Sequence, residues 1–170
     1  MSTHLHNSDA RQGASSSGGR RPHGKVSYFG IGASLLVLLG SFLPWVEASL
    51  EGSVETIKGT DGDGKWTMAA AVVAMVLFIV GVVARKPIIS GSAAVPSLVA
   101  VVFGAWNIAN PERLARVSIE DESGGMSSTE LDGLLQQFDF SAMGGLWIVV
   151  AGAALGVLFG VLAAAKTRQR

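Results

Sequence analysis

The chain has 170 residues, 49% of them hydrophobic and only 15% charged, with a formal net charge of zero. A soluble domain of this size carries about 25% charged residues, so the balance predicts a chain solvated largely by lipid. With no cysteine, disulfide frameworks, thiolate metal sites and cysteine nucleophiles are excluded.

Residues 1–25 are rich in Ser, Gly, His and Arg, with Gly13 to Arg21 almost free of apolar side chains. Such a stretch has too little surface to bury to offset its ordering entropy, and a disordered tail is expected. His4, His6 and His23 follow no metal-ligand spacing and read as solvated histidines.

The first apolar segment covers about 26–46, preceded by Arg20, Arg21 and Lys25 and closed by Pro44-Trp45. It has the outline of a signal peptide, and Val46-Glu47-Ala48 offers a small-residue cleavage pattern. Its apolar run of about 18 residues exceeds the usual signal-peptide core, so an uncleaved first span is expected. The loop 47–65 predicts a small β-hairpin, with Val46 to Leu50 and Val54 to Lys58 flanking Glu51-Gly52-Ser53. Asp61 and Asp63 have the spacing of a calcium loop, but the position needing a bidentate Glu is Val72. Gly59 to Gly64 therefore reads as a glycine-rich turn into the next helix.

The second span is expected over about 66–84 and the third over about 87–109, separated only by Arg85-Lys86. Pro87 suits the first turn of a helix, which makes the two antiparallel neighbours. Pro96 removes one backbone hydrogen bond and predicts a kink. In the second long loop, Asn110-Pro111-Glu112 reads as cap and first turn of a short helix through about Arg116. Ser127 to Glu130 matches a capping box, followed by Leu131, Leu134, Leu135 and Phe138 at helical spacing. That stripe must bury on the end of its own bundle, in the membrane interface or in a partner, and the first is expected.

The fourth span, about 141–165, contains no ionisable side chain. At 1.5 Å per residue it covers the roughly 30 Å of a bilayer's hydrocarbon. Gly152, Gly156, Gly160 and Ala164 recur every fourth residue and line one face with almost no volume, where other helices can approach closely.

Orientation follows from Lys and Arg. The N-terminal tail, the tight turn and the C-terminal tail 166–170 hold Arg11, Arg20, Arg21, Lys25, Arg85, Lys86, Lys166, Arg168 and Arg170. The two long loops hold Lys58, Lys65, Arg113 and Arg116, so nine basic residues face four. Both termini are expected in the cytoplasm and both loops outside the plasma membrane. Trp45, Trp66 and Trp106 are placed at the outer interface as anchors, with Trp147 slightly deeper.

None of the four spans contains Asp, Glu, His, Lys or Arg beyond its ends. Proton relays and charged-substrate carriers keep such groups at membrane depth, and intramembrane hydrolases need a base or metal ligands beside the nucleophile. Ser34, Ser41, Ser90, Ser92 and Ser97 have no such partner in the spans and are expected to bond backbone carbonyls. No phosphate loop, dinucleotide fingerprint or zinc spacing is present, and no basic stripe suggests nucleic acid.

Two segments carry a family likeness: Gly40-Ser-Phe-Leu-Pro-Trp45 and Gly59-Thr-Asp-Gly-Asp-Gly64. With the Ala/Gly/Val-rich spans they resemble uncharacterised small four-span membrane proteins of high-GC actinobacteria, over the first two spans and their loop. The topology also resembles that of claudin-like tetraspan proteins, although this chain lacks the paired cysteines of their loop. The expectation is an all-α membrane protein, a four-helix transmembrane bundle of two outward hairpins with a small β-hairpin in the first outer loop. Its expected role is structural, assembly or accessory and non-enzymatic, without cofactor or metal, with a homo-oligomer or membrane-protein partner met through the outer loops or the glycine face. The alternative is a small transporter or channel subunit for a neutral solute.

Overall fold

The computed structural model describes residues 24–50, 53–62, 64–123 and 127–165. Most of the expected N-terminal tail, the whole C-terminal tail, and Glu51 and Asp63 of the first loop lie outside the described residues. The elements in chain order are α1 (Gly24–Phe42), β1 (Pro44–Leu50), β2 (Ser53–Lys58), a single 3-10 turn (Gly59–Asp61), α2 (Gly64–Val83), α3 (Pro87–Ser92), α4 (Ala94–Ala109), α5 (Pro111–Ser123), α6 (Ser128–Leu135), β3 (Asp139–Ala142) and α7 (Gly144–Ala165).

Four helical stretches are long and apolar enough to cross a membrane: Lys25–Phe42, Gly64–Val83, Pro87–Ala109 and Gly144–Ala165. They form a four-sided bundle in which α1 packs on α2 and α7, and α4 packs on the same two helices. The inside is made mostly of small residues, with Val37, Phe78 and Val149 the larger side chains buried among them. Ala33, Ser34, Ala71, Ala74, Ser97, Ala100, Gly152 and Ala153 are buried, while Leu35, Leu36, Leu39, Val73, Val76, Leu98, Val102 and Leu158 face outward. Only 28–39% of each stretch is buried within the molecule, and large apolar side chains cover its outer surface.

The buried serines use their hydroxyls locally. Ser34 Oγ donates to the Gly30 carbonyl at 3.1 Å, Ser41 Oγ to Val37 at 2.9 Å and Ser97 Oγ to Ala93 at 2.9 Å. Ser27 Oγ donates to Ser90 Oγ at 3.0 Å, linking α1 to α3. These contacts satisfy hydroxyl groups that would otherwise be orphaned in a dry interior.

The turn between α2 and α3 closes as a Schellman motif. Lys86 N–H donates to the Gly81 carbonyl at 3.1 Å and Arg85 N–H to Val82 at 3.2 Å. This places Arg85, a non-glycine residue, at a φ of 54°, a conformation that costs roughly 1–2 kcal/mol relative to the right-handed region. Pro87 then occupies the first turn of α3. The predicted kink is a break: α3 ends at Ser92, the residue whose carbonyl would meet the Pro96 ring. Across it Ala93 N–H donates back to Ser90 at 3.3 Å.

Four boundaries differ from expectation. The first helix ends at Phe42, because Pro44 begins a strand rather than closing the span. The second starts at Gly64, and the last starts at Gly144 because 139–142 is extended. The helix after Asn110 runs on to Ser123, well past Arg116.

Candidate functional site: the neck and cap

All elements outside the bundle gather at one end of it, where α1 ends, α2 begins, α4 ends and α7 begins. The expected hairpin is present. β1 and β2 pair antiparallel from Val46↔Ile57 to Leu50↔Ser53, with an irregularity between Pro44 and Val46. The second loop adds a strand that the sequence reading missed: β3 pairs antiparallel with β1 from Val46↔Ala142 to Ser49↔Asp139. The sheet order is β2-β1-β3, so the two loops share one sheet with β1 at its centre.

Alternation along the strands gives this sheet two unlike faces. Val46 and Ala48 are buried, and the register places Ile57, Glu55, Phe140 and Ala142 on their side. Against that face lie α5, through Leu114 and Ala115, and α6, through Leu131 and Leu135. All four of these side chains are buried. Leu131 and Leu135 of the α6 stripe thus pack on their own molecule, while Leu134 stays exposed. Arg116 of α5 forms an ion pair with Asp132 of α6, and this hydrogen bond raises the guanidinium pKa above its ordinary value. At the start of α6, Ser127 and Glu130 make the reciprocal capping box. Hydrogen bonds from the Ser127 hydroxyl and backbone N–H lower the Glu130 pKa below its ordinary value.

Trp45 was expected at the membrane interface, and the structure corrects this: its side chain is wholly buried. With the helix ended at Phe42, the indole folds back and its Nε1–H donates to the Gly40 carbonyl at 2.9 Å. The ring lies against Gly59, where a Cβ would collide with it. Gly59 N–H also donates to the Leu43 carbonyl at 3.4 Å. The two segments that stood out in the sequence, 40–45 and 59–64, therefore meet at the neck. Their pairing explains the absence of side chain at Gly59. Trp66, Trp106 and Trp147, by contrast, are exposed by 68%, 56% and 56% around the cap end of the bundle.

The small-residue row on α7 is used within the molecule. A Cβ at Gly152 would meet Ala33 O and Val37 of α1 at 3.1 Å; one at Gly156 would lie 2.6 Å from Ser97 Oγ of α4. One at Gly160 would lie 2.7 Å from Ala94 N, and Ala164 sits where Gly91 of α3 has no side chain. The face is thus filled by α1, α3 and α4 of the same chain.

Three cavities bear on function. One of about 10 Å³ lies among Ser34, Ala74, Ser97, Ala100 and Gly156 on the bundle axis, room for no more than a single water. A second, about 450 Å³ and open, lies at the start of α5 between Asn110, Glu112, Arg113 and Arg116. The third, about 210 Å³, lies in the cap between β2 and the α5–α6 pair. Among the described residues no three His, Cys, Asp or Glu side chains group as metal ligands. Asp61 is engaged locally, accepting from Lys58 N–H at 3.2 Å and from the Thr60 hydroxyl at 3.2 Å. Two buried polar atoms, Thr67 Oγ1 and Asn107 Oδ1, have no hydrogen-bond partner among the described residues. Compared with known proteins, the chain matches no family model and no curated protein.

Proposed function

We propose that this chain is a multi-pass plasma-membrane protein with a non-enzymatic structural, assembly or accessory role, meeting a protein partner through its cap. Both termini lie in the cytoplasm and the cap lies outside, as the excess of Lys and Arg on the tail-and-turn side supports. One observation carries the reading. The bundle is closed along its axis by Gly, Ala and Ser around a cavity of about 10 Å³, whereas the polar loops fold into a cap with its own apolar cluster of Ala115, Leu131 and Leu135. A folded cap on a bundle whose axial cavity has room for no more than a single water favours a surface for a partner over a route for a solute. The absence of ionisable side chains from the long helices, beyond their first residues, argues against intramembrane catalysis in the same way.

The break between α3 and α4 favours a second reading, a transporter or channel subunit for a neutral solute, since interrupted helices line many solute sites. The closed axis places this second. The test is extraction of the tagged full-length chain from its own membranes in mild detergent, beside Leu131→Asp, which puts a charge in the core of the cap. A defined homo-oligomer or a stoichiometric membrane partner is expected, lost in the variant. Recovery of a monomer alone, or of a complex indifferent to the cap, overturns the proposal.

A further inference from the structure

We propose that the groove between β2 and the α5–α6 pair receives an extended apolar segment of a partner protein that carries Lys or Arg and adds to the free edge of β2. This rests on the reading of the cap as a partner-facing surface and names the chemistry it selects.

The strand supplies the first argument. β2 stands at the edge of the sheet, and its residues Ser53 to Thr56 are exposed. An edge strand presents unpaired N–H and C=O groups, a ready template for another strand. Consecutive side chains on a strand point to opposite faces, yet Glu55, Thr56 and Ile57 all line the groove. The groove covers the sheet face that carries Ala48, Glu55, Ile57 and Phe140 and reaches the backbone of β2 at Thr56, so a strand added to this edge would send alternate side chains into it. Its far wall is apolar, formed by Ile119, Leu134, Phe138 and Phe140. Leu134 is 40% exposed while its neighbours Leu131 and Leu135 are buried, so a branched side chain entering here removes apolar surface from water.

Charge selects the occupant. Glu55 and Asp61 line the groove with exposed carboxylates, and no basic side chain lines it among the described residues. Arg116 is committed to Asp132. A second copy of this chain pairing through β2 would set Glu55 near Glu55, and like charges placed opposite one another destabilise a strand pair. A basic residue is the complement. Glu55 and Ile57 are two apart and share a face, so the incoming strand should carry its basic and apolar side chains two residues apart, opposite them.

The test uses the full-length protein in phosphatidylcholine nanodiscs and a fluorescent nine-residue peptide with Val and Lys two apart in a Ser/Thr background, read by anisotropy. Saturable binding is expected, at least about tenfold weaker when Glu replaces Lys in the peptide and lost when alternate peptide nitrogens are methylated. Glu55 is exposed, so Glu55→Lys leaves the fold intact and should reverse the preference toward the Glu peptide. Equal binding of the two peptides, binding that survives methylation, or binding to empty discs overturns the proposal. So does a dimer of the chain that Glu55→Lys disperses, which would make a second copy the occupant. If the peptides fail while the native complex still requires the cap, this inference falls and the proposed role stands.

Discussion

A leucine at position 156 would have to occupy space held by Ser97, since even its Cβ would lie 2.6 Å from Ser97 Oγ and 3.1 Å from Ser97 Cβ. The α4 backbone stands behind that serine, so neither helix can yield without opening the bundle. Gly156→Leu is expected to destabilise by about 1–3 kcal/mol or more, seen as a lower Tm in detergent. Gly32 lies in the same kind of helix, but a Cβ there meets nothing within 4 Å; Gly32→Ala is expected to leave Tm unchanged or raise it slightly. An equal effect of the two substitutions would refute the close-approach account. Residue spacing alone revealed the row at 152, 156 and 160, because period four on a helix marks one face. It could not reveal which helices fill that face. Trp45 shows the opposite failure: the rule that tryptophan sits at interfaces is statistical, whereas its burial follows from a helix end at Phe42 and from Gly59, fourteen residues after the tryptophan.

Among the elements, α6 depends most on an ionised group. Glu130 accepts from the Ser127 hydroxyl at 2.7 Å and from Ser127 N–H at 3.2 Å, which lowers its pKa. A lowered folded-state pKa means that folding favours the carboxylate. Its contribution is complete above the unfolded glutamate value of about 4.3 and is lost as pH falls through the depressed folded value. Amide protection across 128–131 is expected to weaken on acidification through that range, beyond the intrinsic pH effect on exchange. In Glu130→Gln this extra pH dependence should vanish; an unchanged profile would remove the capping box as its cause. The box was legible in the sequence because its two residues are three apart, and so were the long helices, from uninterrupted apolar runs, and the β1–β2 hairpin, from β-branched residues about a turn. β3 was not. Its four residues, Asp139 to Ala142, have no period long enough to read, and Ser49, the β1 partner of Asp139, lies ninety positions earlier. The extension of α5 to Ser123 was hidden in the same way, because its charged residues dilute the helical stripe of Leu114, Ala115 and Ile119.

On the scale of the whole molecule the open quantity is which end faces which compartment. The chain has no cysteine, so single replacements report position without background. Val54 and Gly133 are exposed on the cap, and Lys86 is exposed at the opposite turn. In intact cells, Val54→Cys and Gly133→Cys are expected to react with a membrane-impermeant maleimide, and Lys86→Cys only after permeabilisation. The reverse pattern would invert the molecule and with it the assignment of the cap to the outside.

The central strand of the cap has one neighbour from early in the chain and one from late. Met143 N–H donates to the Trp45 carbonyl at 2.7 Å just where that late neighbour leads into α7. Without residues 139–142 the central strand would be bare along one side. The sheet therefore clasps the two loops together and ties the entry of the last long helix to the exit of the first.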